Sequence, residues 1–202
     1  MKNTGGNQLK KGLLIILSGP SGVGKGTIRK KIMDNPELNL VYSISLTTRS
    51  PRNEEVDGVD YRFVSRSTFE KYIKEDNLLE WAEFVGNYYG TPKDWVEEQR
   101  NLGKNVILEI EVEGATQVLS TQRGNRVFSI FLIPPSLEEL RRRIRNRHSE
   151  TPDIIAKRLA KAENEIGLKY QYHFVVLNDD QDRAAEEISQ IISSKINAKI
   201  TS

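Results

Sequence analysis

The sequence predicts an α/β fold, a central parallel sheet with helices on both faces, and three observations carry that prediction. Short apolar, β-branched runs recur at residues 13–17, 106–110, 127–133 and 174–177. Helical patterns at 27–33, 94–102 and 184–196 separate them. Between the first run and the first helix stands a glycine-rich turn, Gly19-Pro20-Ser21-Gly22-Val23-Gly24-Lys25-Gly26-Thr27. Strands that alternate with helices build parallel crossover units covered on both faces, so the strands read as continuous apolar runs, as these do.

In chain order, residues 1–11 are polar, basic and glycine-containing with no apolar period, which predicts a mobile tail ahead of a folded unit, 12–202. The run 13–17 is the first strand. In the turn after it, Gly19, Gly22 and Gly24 let the backbone curl so that successive N–H groups face inward, and Lys25 adds a positive charge at the N-terminus of the next helix. The spacing Gly19-x4-Gly24-Lys25 is that of the P-loop, so a P-loop fold is expected, with nucleotide phosphates as the loop's ligand. Gly26 stands where such loops usually carry a hydroxyl and cannot ligate a metal. Thr27 is the displaced hydroxyl and a candidate ligand.

Residues 41–91 interrupt the alternation. Strand-like pieces at 61–64 and 81–85 flank a helix candidate at 67–77 opened by a Ser/Thr cap, which predicts an inserted α+β lobe. The alternation resumes at 94–102 and 106–110. The end of that strand carries Glu109 and Glu111, which period-two alternation places on one side, near the P-loop. After 127–133, Pro134-Pro135 fences off a helical, arginine-rich stretch, 136–161. Within it Arg143 and Arg147 lie four apart on one face, and Arg158 follows on a second helical stretch, 152–166. The core is thereby assigned to 12–40, 92–135 and 162–202, with Asn178 at the end of its last strand.

Bulk composition narrows the class of function. Lys+Arg number 30 against 28 Asp+Glu, so no global charge draws the chain to nucleic acid or a membrane surface, and any electrostatic role is local. The absence of cysteine excludes a disulfide scaffold and a thiolate zinc site. The apolar run 13–17 is too short for a signal-peptide core or a membrane span, and a cytoplasmic protein is expected.

Several separated segments carry a resemblance. They are the P-loop; Ser45-Leu46-Thr47-Thr48-Arg49-Ser50-Pro51-Arg52; Glu55 to Phe63, with Asp60-Tyr61 in it; Glu80-Trp81-Ala82-Glu83-Phe84; Gly86-Asn87-Tyr88-Tyr89-Gly90-Thr91; Leu108-Glu109-Ile110-Glu111; and Leu177-Asn178-Asp179-Asp180. In this order, from about Lys11 onward, the chain closely resembles the guanylate kinases, which transfer a phosphoryl group from ATP to GMP. The resemblance makes 41–91 a GMP-binding lobe and 136–161 a helical lid. It implies Mg²⁺ as cofactor and ATP and GMP as substrates, with dGMP as a further acceptor. Neither a nucleic-acid nor a membrane partner is expected, and oligomeric state stays open.

The residue chemistry agrees with those roles. Arg49 and Arg52 suit a phosphate gripped by paired charge-assisted hydrogen bonds, although taken alone they also read as solvated surface arginines. By resemblance Tyr61 and Tyr89 add phenolic donors to the same phosphate, although taken alone each also reads as a core or surface aromatic. Guanine presents two adjacent donors, its ring N1–H and its amino group, which a carboxylate accepts from together, whereas adenine has an acceptor at N1; the resemblance makes Glu80 that base reader, although taken alone it also reads as a surface glutamate. By resemblance Ser45 and Thr91 meet the guanine edge, Glu111 the GMP side, and Asn178 the adenine edge. Arg143, Arg147 and Arg158, with Lys25 and Arg49, reach the transferring phosphates, and Glu109, with Thr27, stands near magnesium. Residues 19–27 enclose the ATP phosphates. The competing class is a guanylate-kinase-like binding module without catalysis, against which stands the complete pair of nucleotide sites.

Overall fold

The computed structural model describes residues 10–52, 55–84, 86–145 and 152–198. Its elements run in the predicted alternation: β1 (Leu14–Ser18), α1 (Lys25–Met33), β2 (Leu40–Tyr42), β3 (Leu46–Thr47), β4 (Arg62–Phe63), α2 (Arg66–Lys74), β5 (Leu78–Phe84) and β6 (Asn87–Pro92). There follow α3 (Lys93–Asn101), β7 (Asn105–Glu109), α4 (Val112–Thr121), β8 (Val127–Ile133), α5 (Leu137–Arg145), α6 (Pro152–Gly167), β9 (Phe174–Leu177) and α7 (Gln181–Asn197).

A five-stranded parallel sheet, ordered β2-β7-β1-β8-β9, forms the centre. Every residue of β1 is buried, because this strand is covered on both faces. Its side chains alternate accordingly. Ile15 and Leu17 join Ile28 and Ile32 of α1 and Ile188 and Ile192 of α7, whereas Leu14 and Ile16 join Val96 of α3 and Ala115 and Val118 of α4. Burial of these side chains stabilises the sheet by roughly 1.5–3 kcal/mol for each large one, and it leaves the carboxyl ends of the strands, with the P-loop, as the open edge.

The lobe has its own four-stranded sheet, ordered β4-β3-β6-β5, in which β5 is an edge strand. Helix α2 packs on it through Phe69, which joins Leu46 and Leu78 in a small core. A serine caps α2 as expected, Ser65, whose side chain accepts the Thr68 N–H, and the helix ends at Lys74, short of the expected 77. One boundary needs correction. Val41 and Tyr42, assigned to the lobe, lie in β2 and pair with Val106 and Ile107 of β7, so the lobe starts after Tyr42.

The arginine-rich stretch is a helical pair, α5 and α6, held by Leu140, Ile144, Leu159 and Ala162. Helix α4 was absent from the sequence expectation; Val112, Ala115 and Val118 recur on one face of it and bury against the sheet. At the N-terminus Lys10 and Lys11, expected within the tail, are tied down: the Lys11 carbonyl accepts from Arg126 Nε at 2.8 Å, and Lys10 Nζ donates to the Ala198 carbonyl at 3.3 Å. Residues 1–9 of that expected tail lie outside the described residues.

Candidate active site

The P-loop follows β1 with Gly19, Gly22 and Gly24 all at positive φ, at 143°, 86° and 104°. Conformation and space both require glycine here: a Cβ at Gly19 would stand 2.5 Å from the Leu132 carbonyl oxygen, and one at Gly24 would stand 2.7 Å from Asn178 Nδ2. Lys25 opens α1 and its ammonium folds back on the loop, donating to the carbonyls of Gly19 at 2.6 Å and Pro20 at 3.3 Å. Burial lowers its pKa, opposed by the charges of Glu111, Glu109 and Glu165.

The first two of these, Glu111 and Glu109, were expected side by side at a strand end, and both act on Lys25. Glu109 ends β7 in register with Leu17, just before the loop, so the sheet itself sets it beside α1. Its carboxylate accepts from Arg29 Nε at 2.8 Å, and the Arg29 guanidinium lies 3.9 Å over the Tyr42 ring. Burial, with the charge of Glu109, pushes the Tyr42 hydroxyl up to about 12. Glu111 lies beyond the strand, at the N-cap of α4, and its Oε2 accepts from Lys161 of α6 at 2.6 Å. Burial works against ionisation of Glu111, but Lys161, Lys25 and Arg158 outweigh it and hold the carboxyl below its usual range. Thr27 is exposed on α1, and among the described residues no cluster of three acidic, histidine or cysteine side chains is placed to hold a metal.

On the lobe sheet the second group comes together. Glu80 of β5 stands opposite Thr91 of β6, whose hydroxyl donates to Glu80 Oε1 at 2.5 Å. Glu80 is only 7% exposed, and burial, against the Thr91 bond, raises its carboxyl to about 7. Ser45 is half-buried just before β3, and its carbonyl accepts the Arg62 N–H. Tyr61 and Tyr89 meet edge to face with centroids 6.0 Å apart, and the Arg49 guanidinium lies 5.6 Å from the Tyr61 ring centroid. Arg49 donates to Glu55 and to the Ser50 carbonyl, while Arg52 is exposed and its backbone N–H donates to the second Glu55 oxygen.

The residues expected in a lid divide. Arg143 donates to Glu139 at 2.8 Å, to the Val23 carbonyl at 3.2 Å and to the Asn178 carbonyl at 3.0 Å, so it braces the P-loop from outside. Arg142 forks onto the same Glu139, and the two arginines hold that carboxyl down to about 2. Arg158 is half-buried on α6. Arg147 and His148 lie outside the described residues. His173 is a packing residue, its ring nitrogen 2.9 Å from Ser129 Oγ.

Asn178 departs from expectation. It is 1% exposed and donates from Nδ2 to the Val23 carbonyl at 2.7 Å, supporting the loop from behind, so in this conformation it offers no face to a base. A cleft of about 530 Å³ beside it is lined by Gly22, Gly24, Arg142 and residues 179–182. A larger hollow of about 800 Å³ is lined by Ser136 and by residues of α5 and α6, with Glu139 and Arg142 shared between the two cavities. Sequence reasoning missed Arg29, Glu55 and Lys161 as partners of site residues. Only their closeness to recognised motifs marked them.

The family model described as guanylate kinase matches residues 11–195. A guanylate kinase of Bacillus anthracis is 55% identical over 183 residues, covering 91% of this chain and 88% of that protein. A guanylate kinase of Mycoplasma capricolum is 52% identical over 184 residues, again 91% of this chain, but this chain spans only 61% of that longer relative. The crystal structure of guanylate kinase from Anaplasma phagocytophilum superposes with a TM-score of 0.76 at 34% identity, covering 94% of this chain and 89% of that one.

Proposed function

We propose, from the premise that this chain belongs to the guanylate kinase family, that it transfers the γ-phosphoryl group of ATP to GMP, giving ADP and GDP. One observation supports this above the rest. A buried carboxylate, Glu80, and a cationic seat, Arg49 with Tyr61 and Tyr89, lie on one lobe sheet across from a P-loop whose lysine is in place. Such a pairing reads a guanine base and its phosphate at once.

The acceptor is a phosphate oxygen, already anionic at neutral pH, so no general base has to activate it. The obstacle is repulsion between two anionic nucleotides, and the work falls on positioning and charge neutralisation. P-loop N–H groups and Lys25 would hold the ATP phosphates; Arg49 and Arg52, with the tyrosines, would hold GMP in line; Arg143, Arg147 and Arg158 would close from the lid. Ser45, Thr91 and Glu111 would complete the acceptor side. Residues 136–161 would also exclude water, which otherwise diverts ATP to hydrolysis.

Magnesium ion fits this donor set. Mg²⁺ retains waters and binds chiefly through substrate phosphates, which needs no protein cage, and a Cβ at Gly26 would stand 3.5 Å from Glu109 Oε1, so that carboxylate borders the loop. Glu109, directly or through water, and Thr27 are the chain's own groups for it. When bound, the ion would neutralise charge on the ATP phosphates.

A scaffold without catalysis has no use for both nucleotide seats, and within the arginine run Arg142 and Arg143 pair locally with Glu139. The test is ADP release with ATP, Mg²⁺ and a panel of nucleoside monophosphates. GMP should support turnover far above AMP, CMP and UMP. A folded protein with no GMP-dependent release would overturn the assignment.

A further inference from the structure

Strand β5 is the edge of the lobe sheet, so alternate backbone groups on its outer side lack a neighbouring strand. At Trp81 both are satisfied by one side chain of the core: the Trp81 N–H donates to Gln117 Oε1 at 3.1 Å, and Gln117 Nε2 donates to the Trp81 carbonyl at 2.9 Å. The amide of Gln117 thus stands in for a strand. Gly114, three residues earlier and so on the same face of α4, lies against the preceding residue of β5. A Cβ there would be 2.5 Å from Glu80 Oε2 and 3.0 Å from Glu80 Cδ. The opposite face of α4 is fixed in the core by Val112, Ala115 and Val118, and Leu79 of β5 buries in that same cluster.

We infer that Gly114 and Gln117 are specificity-positioning residues: α4 seats β5 at a fixed depth, and that depth aims the Glu80 carboxylate at the acceptor base. Gln117 sets the strand's distance through two backbone bonds. Gly114 leaves the space that the carboxylate fills. Neither touches substrate; both act through Glu80. With Thr91 on one oxygen and the first turn of α4 against the other, the carboxylate has one position to occupy. The inference rests on the GMP reading of the site.

The decisive variant is Gly114→Ala, measured for GMP, AMP and ATP separately. The added methyl must displace the carboxylate, so KM for GMP should rise by about tenfold or more while KM for ATP stays within about twofold, and preference for GMP over AMP should shrink. Shortening the carboxylate makes room again. Glu80→Asp combined with Gly114→Ala should therefore be less impaired than the product of the two single losses, a coupling that general loss of packing does not produce. Should Gly114→Ala fail to fold, Gln117→Met keeps the length and removes both bonds, and it should show the same split between GMP and ATP at about three- to tenfold. Equal changes in the GMP and ATP constants, or an unmoved GMP constant and selectivity, would overturn the inference. If the unsubstituted protein releases no ADP with GMP, the functional assignment fails and this inference with it. An active parent with unmoved variants sinks the inference alone.

Discussion

Arg49 donates from Nη2 to Glu55 Oε1 at 2.8 Å, and the other oxygen of the same carboxylate accepts the Arg52 backbone N–H at 2.8 Å. An internal anion thus engages the guanidinium of Arg49, one of the two arginines expected to hold a phosphate. Hydrogen bonds from Arg49 and from the Arg52 backbone keep the Glu55 carboxyl below its usual range, so it is ionised at neutral pH. On the proposed reading, the GMP phosphate competes with it for Arg49. Glu55→Gln should therefore lower KM for GMP by about two- to fivefold without altering KM for ATP. A raised KM for GMP in steady-state kinetics would instead mean that Glu55 orients Arg49 for its ligand.

Lys25 holds its ammonium against two carbonyls of its own loop, in a half-buried position that costs it solvation. ATP phosphates offer the counter-charge that those carbonyls lack. Lys25→Met should reduce kcat by about three orders of magnitude or more. The melting temperature should barely move, because Lys25 supports a loop and not the sheet. Near-normal turnover in the variant would remove Lys25 from the mechanism.

What the sequence disclosed follows from where the information resides. Strands β8 and β9 match the apolar runs 127–133 and 174–177 residue for residue, and β1 and β7 differ by one position, since buried parallel strands write their environment directly into apolar composition. The P-loop was legible because only glycine tolerates the backbone at Gly19 and Gly24. Helix α4 was not, because Val112, Gly114 and Val118 are weak helix formers, and packing against the sheet rather than propensity holds it. Strand β2 is only three half-buried residues, Leu40–Tyr42, too short to stand out as a strand, and its pairing with β7 assigns it to the core. Arg29, Glu55 and Gln117 look like surface residues in one dimension. Their roles arise from contacts across 80, 6 and 36 residues, and the longer ones no local pattern records.

Base recognition can be tested at Glu80 itself. In Glu80→Gln the oxygen facing Thr91 can be kept, but one acceptor for guanine becomes an amide donor facing a donor. Loss of that charge-assisted contact should cost about 1.5–3 kcal/mol, or very roughly 10- to 150-fold in kcat/KM for GMP. ATP binding should stay close to normal, and discrimination against AMP should shrink. A variant with full GMP efficiency and full selectivity would show that Glu80 does not read the base.

The same carboxylate makes binding and stability depend on pH in opposite directions. Burial raises the folded-state carboxyl of Glu80 to about 7 from an ordinary 4.5, so between those values the folded protein binds a proton that the unfolded chain has released. The sign follows: this group's contribution to stability is greatest below about 4.5 and is lost as pH rises through about 7, by up to roughly 3 kcal/mol. On the proposed reading GMP requires the ionised form to accept from both guanine donors, so its affinity should instead rise with pH, about tenfold between pH 6 and pH 8, with a proton released on binding at the acid end. The GMP phosphate also titrates in this range, and Glu80→Gln removes only the carboxyl's share. Isothermal titration of GMP into both proteins, in buffers of different ionisation enthalpy, should show an excess pH slope and proton release in the parent alone. Parallel slopes would place the Glu80 carboxylate already ionised below pH 6, and the folded-state shift would then play no part in acceptor binding.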